Sequence, residues 1–182
     1  DNTYVPTTVT IDKSKAVGEI PIQTGVSPTG AKTYTVPIQV YPGINGFEPQ
    51  LSLAYNSQQG NGIVGIGWGI GGVQSIMRTS RNIYYDGKPQ GALRTKADAF
   101  VLDGMRLIKI SENATTINYE SEQGNIKVKA FLSGDVVKYF EVFYPNGTKG
   151  IFGYASNTSN KIFYPIVSLS DLRNNQILYT YV

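Results

Sequence analysis

Residues 99–144, AFVLDGMRLIKISENATTINYESEQGNIKVKAFLSGDVVKYFEVFY, decide the fold. Within them 99–102, 105–110, 115–120, 125–131 and 138–144 alternate apolar and polar positions. They are rich in Val, Ile, Tyr, Phe and Thr, as a half-buried pleated surface favours. Between them stand Asp103-Gly104, Gly124-Asn125 and Gly134-Asp135, pairs suited to tight hairpin turns. Short strands separated by such turns predict antiparallel meanders.

The same grammar extends in both directions. Downstream, 148–154, 162–169 and 176–182 read as strands, with Asn146-Gly147 and Asn174-Asn175 as turns. Upstream, 33–41 places Tyr34, Val36, Ile38 and Val40 on one face, and 50–56 does so with Leu51, Leu53 and Tyr55. Asn45-Gly46, Asn61-Gly62 and Asp86-Gly87 supply further turn candidates. Pro6, Pro21, Pro28, Pro37 and Pro42 crowd the first quarter, and each lacks the N–H a central strand needs, so edge strands and extended loop are expected there. The only helix candidate is 94–99. The expected fold is therefore all-β, with antiparallel hairpins and meanders forming a sandwich-like or curved open sheet and little or no helix. A seam at 86–98 divides a Gly/Pro-rich segment, 1–85, from a hairpin segment, 86–182, within one structural unit. The chain starts at Asp1 without an initiator Met, which suggests a removed leader. Residues 176–182 stop while still reading as strand, so a fragment of a longer chain is expected.

Composition narrows the chemistry. The 182 residues contain no Cys and no His. Disulfides, thiolate nucleophiles, iron–sulfur clusters and imidazole bases are absent, and no metal or cofactor site is expected. The 16 Lys and Arg against 13 Asp and Glu give a net charge of +3. Arg78, Arg81, Lys88, Arg94 and Lys96 form the densest basic stretch, but Asp86 and Asp98 interrupt it. It reads as a solvated surface and not a nucleic-acid stripe. No apolar run approaches the ~20 residues of a membrane helix, so no membrane insertion by this segment is expected.

Residues 60–72, GNGIVGIGWGIGG, carry the most unusual local pattern. Gly60, Gly62 and Gly65 match G-x-G-x-x-G, but the glycines that follow would not sustain the helix a pyrophosphate site needs. In an extended chain Gly65, Gly67, Gly69 and Gly71 form a bare face that another backbone can approach, while Ile66, Trp68 and Ile70 point the other way. A structural wedge anchored by a buried Trp68 is expected. Among carboxylates, Glu120 with Glu122 and Asp98 with Asp103 are the pairs close enough in sequence to weigh for hydrolysis. Asp103, Asp86 or Asp98 could be weighed as calcium ligands, without the spacing of an EF-hand loop. The 13 Tyr suit strand packing, with a sugar-binding platform as the alternative.

The stretch from Gly18 to Arg81 resembles the N-terminal domain of SpvB-type virulence proteins and of the B components of insecticidal toxin complexes. The resemblance rests on Pro37–Ser57, with its PIQVYPGINGFEPQLSLAYNS run, and on the Gly60–Gly72 cluster. Asp98–Ile110 and Tyr144–Tyr154 are similar to later elements of that family. The ending SLSDLRNNQILYTYV resembles the start of an Rhs or YD repeat, with Asn174-Asn175 in place of the usual Gly-Asn. The resemblance implies no enzymatic activity in this segment. It implies a structural module of a secreted or cell-surface bacterial virulence protein, part of a β shell around a toxin or effector region. The implied partners are the rest of its own polypeptide or a toxin-complex protein. The alternative is a surface adhesion or glycan-binding module using exposed Tyr.

Overall fold

The computed structural model describes residues 21–62 and 64–181. Pro6, the Gly18–Ile20 start of the family-like stretch and Val182 lie outside them. The described residues form two compact units: 21–37 with 53–69, and 38–52 with 70–181.

In chain order the first strands are β1 (Gln23–Val26), β2 (Lys32–Pro37), β3 (Ser52–Asn56), β4 (Asn61–Gly62), β5 (Gly65–Ile66) and β6 (Trp68–Gly71). They make a four-stranded sheet of order β1-β2-β3-β6 and a separate β4–β5 pair. The β1–β2 hairpin runs antiparallel from Gln23 opposite Thr35 to Val26 opposite Lys32. The strand expected over 33–41 stops at Pro37. Asn61-Gly62 is part of a strand and not a turn.

The second unit continues with β7 (Ser75–Thr79), α1 (Ile83–Asp86), β8 (Ala99–Leu102), β9 (Met105–Glu112), β10 (Thr116–Ser121) and β11 (Lys127–Ser133). β12 (Val136–Phe143), β13 (Lys149–Gly153), β14 (Phe163–Ser170) and β15 (Gln176–Leu178) complete it. From β7 to β14 each strand pairs with the next, and β14 returns to pair with β7. All these ladders are antiparallel, and Tyr164 sits opposite Ile76 where the ring shuts. The expected curved sheet therefore curls all the way into an eight-stranded barrel, which removes the edges an open sheet would expose. Asp103-Gly104, both at positive φ, forms the tight turn between β8 and β9.

The seam at 86–98 is the connection between β7 and β8, so it lies inside the second unit. The short helix sits at Ile83–Asp86 and not at 94–99. Asn82 caps it by accepting from the Tyr85 N–H at 2.9 Å, and Gly87 ends it at φ 72°. At 94–99 the Asp98 carboxylate instead accepts from the N–H groups of Leu93 and Thr95 at 3.1 and 3.0 Å, and Arg94 takes a positive φ. Those bonds hold a turn where a helix would need its own ladder.

Eight strands leave an interior just wide enough for side chains to fill. Phe100, Phe140, Tyr119 and Tyr164 fill it with edge-to-face rings, 4.9 to 6.3 Å between centroids. Ile76, Leu102, Ile117, Val128, Val142 and Ile166 surround them, all buried.

Candidate functional site

Three features carry the functional argument: the glycine-rich segment, one mouth of the barrel and the β15 edge. In the first, Gly67 is buried at φ +76°, and a Cβ there would lie 2.6 Å from the Tyr55 ring and 3.0 Å from the Asn56 carbonyl oxygen. The Gly67 carbonyl accepts from Asn56 N–H at 2.8 Å. A Cβ at Gly62 would lie 1.9 Å from the Trp68 carbonyl oxygen. Close backbone approach is what this segment's glycines permit. Gly65 and Gly67 take positive φ, however, and so break the continuous alternation expected from the sequence. The segment becomes the β4–β5 hairpin and then β6. Ile66 is 76% exposed and Ile70 43%. Trp68 is half-buried, with its ring 5.2 Å from that of Tyr55, while Gly69 and Gly71 are half-buried in β6. Trp68, expected buried, is thus only half-buried. Gly65 opens β5, with β6 directly after it, where a phosphate cradle would need a helix to start.

At one mouth of the barrel the β7–β8 connection folds over the strand ends. Arg78 lies on the same strand face as Ile76 and points inward, where its guanidinium meets Asp98 at 2.9 Å with both side chains almost fully buried. Arg78 also donates to the carbonyls of Thr95 and Lys161, and stacks 4.7 Å above the Phe100 ring. Asn160 accepts from Arg78 at 3.3 Å and from Val137 N–H at 2.8 Å. Burial pushes the Asp98 carboxyl up, but the Leu93 and Thr95 N–H groups and the Arg78 guanidinium outweigh it and hold its pKa below the ordinary carboxylate value. Outside the same wall, Arg106 donates to both carboxylate oxygens of Asp86 at 2.7 and 2.8 Å. Sequence reasoning missed this hub. Its one signal is a basic residue at an inward position of the Ile76–Arg78 alternation.

The members of the weighed carboxylate pairs sit in different settings. Asp98 and Asp103 flank opposite ends of β8 and serve different partners, Asp103 accepting from Ser75 N–H at 2.8 Å and from Gln74 at 3.0 Å. Glu120 lies in β10, whereas Glu122 follows it and accepts from the Tyr85 hydroxyl. Asp86 is committed to Arg106. Among the described residues no group of three or more His, Cys, Asp or Glu is placed to hold a metal ion. Of the exposed tyrosines, Tyr34 lies in β2 and Tyr84 in α1, while Tyr41, Tyr154 and Tyr181 lie outside the named elements. Tyr84 meets Tyr85 edge-on at 90°, and Phe131 and Tyr139 stack on one another at 4.5 Å.

The third feature is β15. Among the described strands it pairs only with β14, Ser168 opposite Leu178 through Ser170 opposite Gln176. Tyr179 N–H donates to the Val167 carbonyl at 3.0 Å and Asp171 N–H to Asn175 at 3.1 Å. This phase turns the main-chain groups of Leu178 away from β14, because an antiparallel ladder alternates its bonded pairs. Leu178 is 72% exposed. No helix of the described residues is long and apolar enough to cross a membrane.

The family model described as SpvB, Salmonella virulence plasmid 65kDa B protein, matches residues 26–174. A comparison with curated proteins gives no match. Among solved structures, the crystal structure of TcdB2-TccC3 superposes with a TM-score of 0.72 over 98% of this chain at 19% identity. The chain spans 10% of the length of that solved chain. That likeness is one of fold.

Proposed function

The chain belongs to the SpvB family, and we propose that it is a non-catalytic structural and interaction module of a secreted or cell-surface bacterial toxin-complex-type protein. In this reading it supplies wall to a β shell that encloses or presents a toxin or effector region. Its partners are the remaining parts of a longer polypeptide, with YD-type repeats after it, or a toxin-complex protein. Gly65, Gly67, Trp68, Gly69 and Gly71 serve as structural positions in it. The observation that carries the reading is β15: a strand outside the closed barrel whose second edge has no partner among the described strands, with an exposed Leu178. Such an edge accepts another strand through main-chain hydrogen bonds. Supporting it, the acids at the barrel mouth, Asp98 and Asp86, are each ion-paired with an arginine.

Leu178→Pro tests it, because the proline removes an outward N–H and leaves the β14 ladder intact. The isolated chain should keep its melting temperature. The polypeptide that carries the chain should become sensitive to limited proteolysis beyond β15. Unchanged protease resistance there would sink the shell reading, as would turnover of a glycoside panel by the purified chain. A glycan-binding role would instead show as array binding lost on replacing exposed tyrosines.

A further inference from the structure

A cavity of about 220 Å³ opens where α1, the β7–β8 connection and β9 meet. At about 30 Å³ per liquid water it has room for a small organic or inorganic ion with part of its hydration. Its lining mixes polar and apolar surface and is unevenly charged. Arg81, Lys96, Arg106 and Lys109 face two carboxylates, Asp86 and Asp98. Those carboxylates are spoken for, Asp86 by Arg106 at 2.7 Å and Asp98 by Arg78 at 2.9 Å. Lys96 and Lys109 share Glu112 at 3.3 and 3.0 Å. Lys96 also reaches the exposed Asp135 at 3.3 Å. Arg81 has no carboxylate within ion-pair distance among the described residues, and its guanidinium donates only to the Ala97 carbonyl.

A second observation concerns Arg106. The residue is 8% exposed, yet its Nε–H is buried and has no acceptor. Leaving a buried charged donor unpaired is costly, and such groups ordinarily find a partner. The Arg81 guanidinium without a carboxylate and the orphaned Arg106 Nε–H ask for the same thing, an acceptor carrying negative charge. Arg and Lys together match an oxyanion, Arg through its planar fork and Lys as a point charge.

We infer that this cavity binds a small oxyanion, of the phosphate or dicarboxylate kind, held between Arg81 and Arg106 with the Lys96 and Lys109 ammonium groups at its rim. The site is independent of the β15 edge, so it stands or falls apart from the shell reading.

The test uses the purified chain with inorganic phosphate in one arm and succinate in the other, each against sodium chloride of equal ionic strength. At tenfold excess over its dissociation constant the true ligand should raise the melting temperature by about 3 °C or more, with matching heat in titration calorimetry. A shift in the phosphate arm alone assigns a phosphoryl group, and a shift with succinate alone assigns a carboxylate. Arg81→Gln breaks no ion pair, so it should fold as the parent does in chloride and bind at least fivefold more weakly. No shift and no heat in either arm would overturn the inference, as would parent-like affinity in Arg81→Gln. Lys109→Gln gives an independent check, with binding expected to weaken severalfold.

Discussion

The barrel and the four-stranded sheet are built from similar residues and held together differently. In the barrel, alternation along eight strands converges on one interior, where Phe100, Phe140, Phe152 and Tyr164 have no exposed surface. In the first unit only Ala31 and Gly67 are fully buried among the described residues. There the order comes from ladders, from the Tyr34–Tyr55–Trp68 row of rings at 5.6 and 5.2 Å, and from glycines that let backbone and ring approach. Patterned apolar strands suffice for a fold when the sheet can close. Where it does not, backbone fit takes over.

The comparison can be broken most directly from the barrel side. Phe100→Ala removes the ring that touches Phe140, Tyr119 and Tyr164, and should cost about 3–5 kcal/mol in urea unfolding. A loss under 1 kcal/mol would mean the interior is not the seat of stability. Next comes Arg78→Ala, which strands the buried Asp98 carboxylate and should cost about 3 kcal/mol.

The same pair sets an acid limit. Asp98 has a folded pKa below its unfolded value, so its stabilisation is complete above the unfolded pKa of about 3.9 and disappears as pH falls through the folded one. Melting temperature should therefore drop on acidification below about pH 4, and Asp98→Asn should flatten that drop. It should not abolish it, because Glu112 and Asp171 are shifted the same way, Glu112 chiefly by Lys109 and Asp171 chiefly by Asn175. Identical acid profiles for the two proteins would refute the role of Asp98.

Smaller effects belong to the first unit. Gly67→Ala drives a Cβ into the Tyr55 ring at a positive φ and should cost about 2 kcal/mol. Trp68→Ala, at a half-buried position, should cost about 1–2 kcal/mol, less than a fully buried aromatic. If Trp68→Ala rivalled Phe100→Ala, the contrast between the two regions would collapse.

Much of the barrel was legible in advance because its strands follow period two and most of its tight turns pair a Gly with an Asp or Asn, as at Asp103-Gly104, Gly134-Asp135 and Asn146-Gly147. The strands β8 to β14 fall within a residue or two of the spans read from alternation. β7 was not legible, and with it went the closure. Its inward positions are Ile76 and Arg78 while Met77 is 44% exposed, so the apolar pattern runs against the true faces. An inward arginine is stable only because Asp98, Asn160 and the Thr95 and Lys161 carbonyls converge on it from distant parts of the chain. No local window contains those partners. The glycine segment erred for the opposite reason: the residues invite close approach, but positive φ at Gly65 and Gly67 depends on which neighbours arrive.

The joint between β7 and β14 also has a consequence in time. Arg78 and Tyr164, which bond across it, stand 86 positions apart. At ribosomal rates of about 5–20 residues per second, the earlier strand waits roughly 4–17 s for its mate. β8 and Asp98, only 20 positions after Arg78, emerge early in that interval, but the Asn160, Lys161 and Tyr164 side of the joint is still missing. The nascent chain thus carries β7 with one edge unmatched until β14 emerges, and chaperone dependence during production should track that delay.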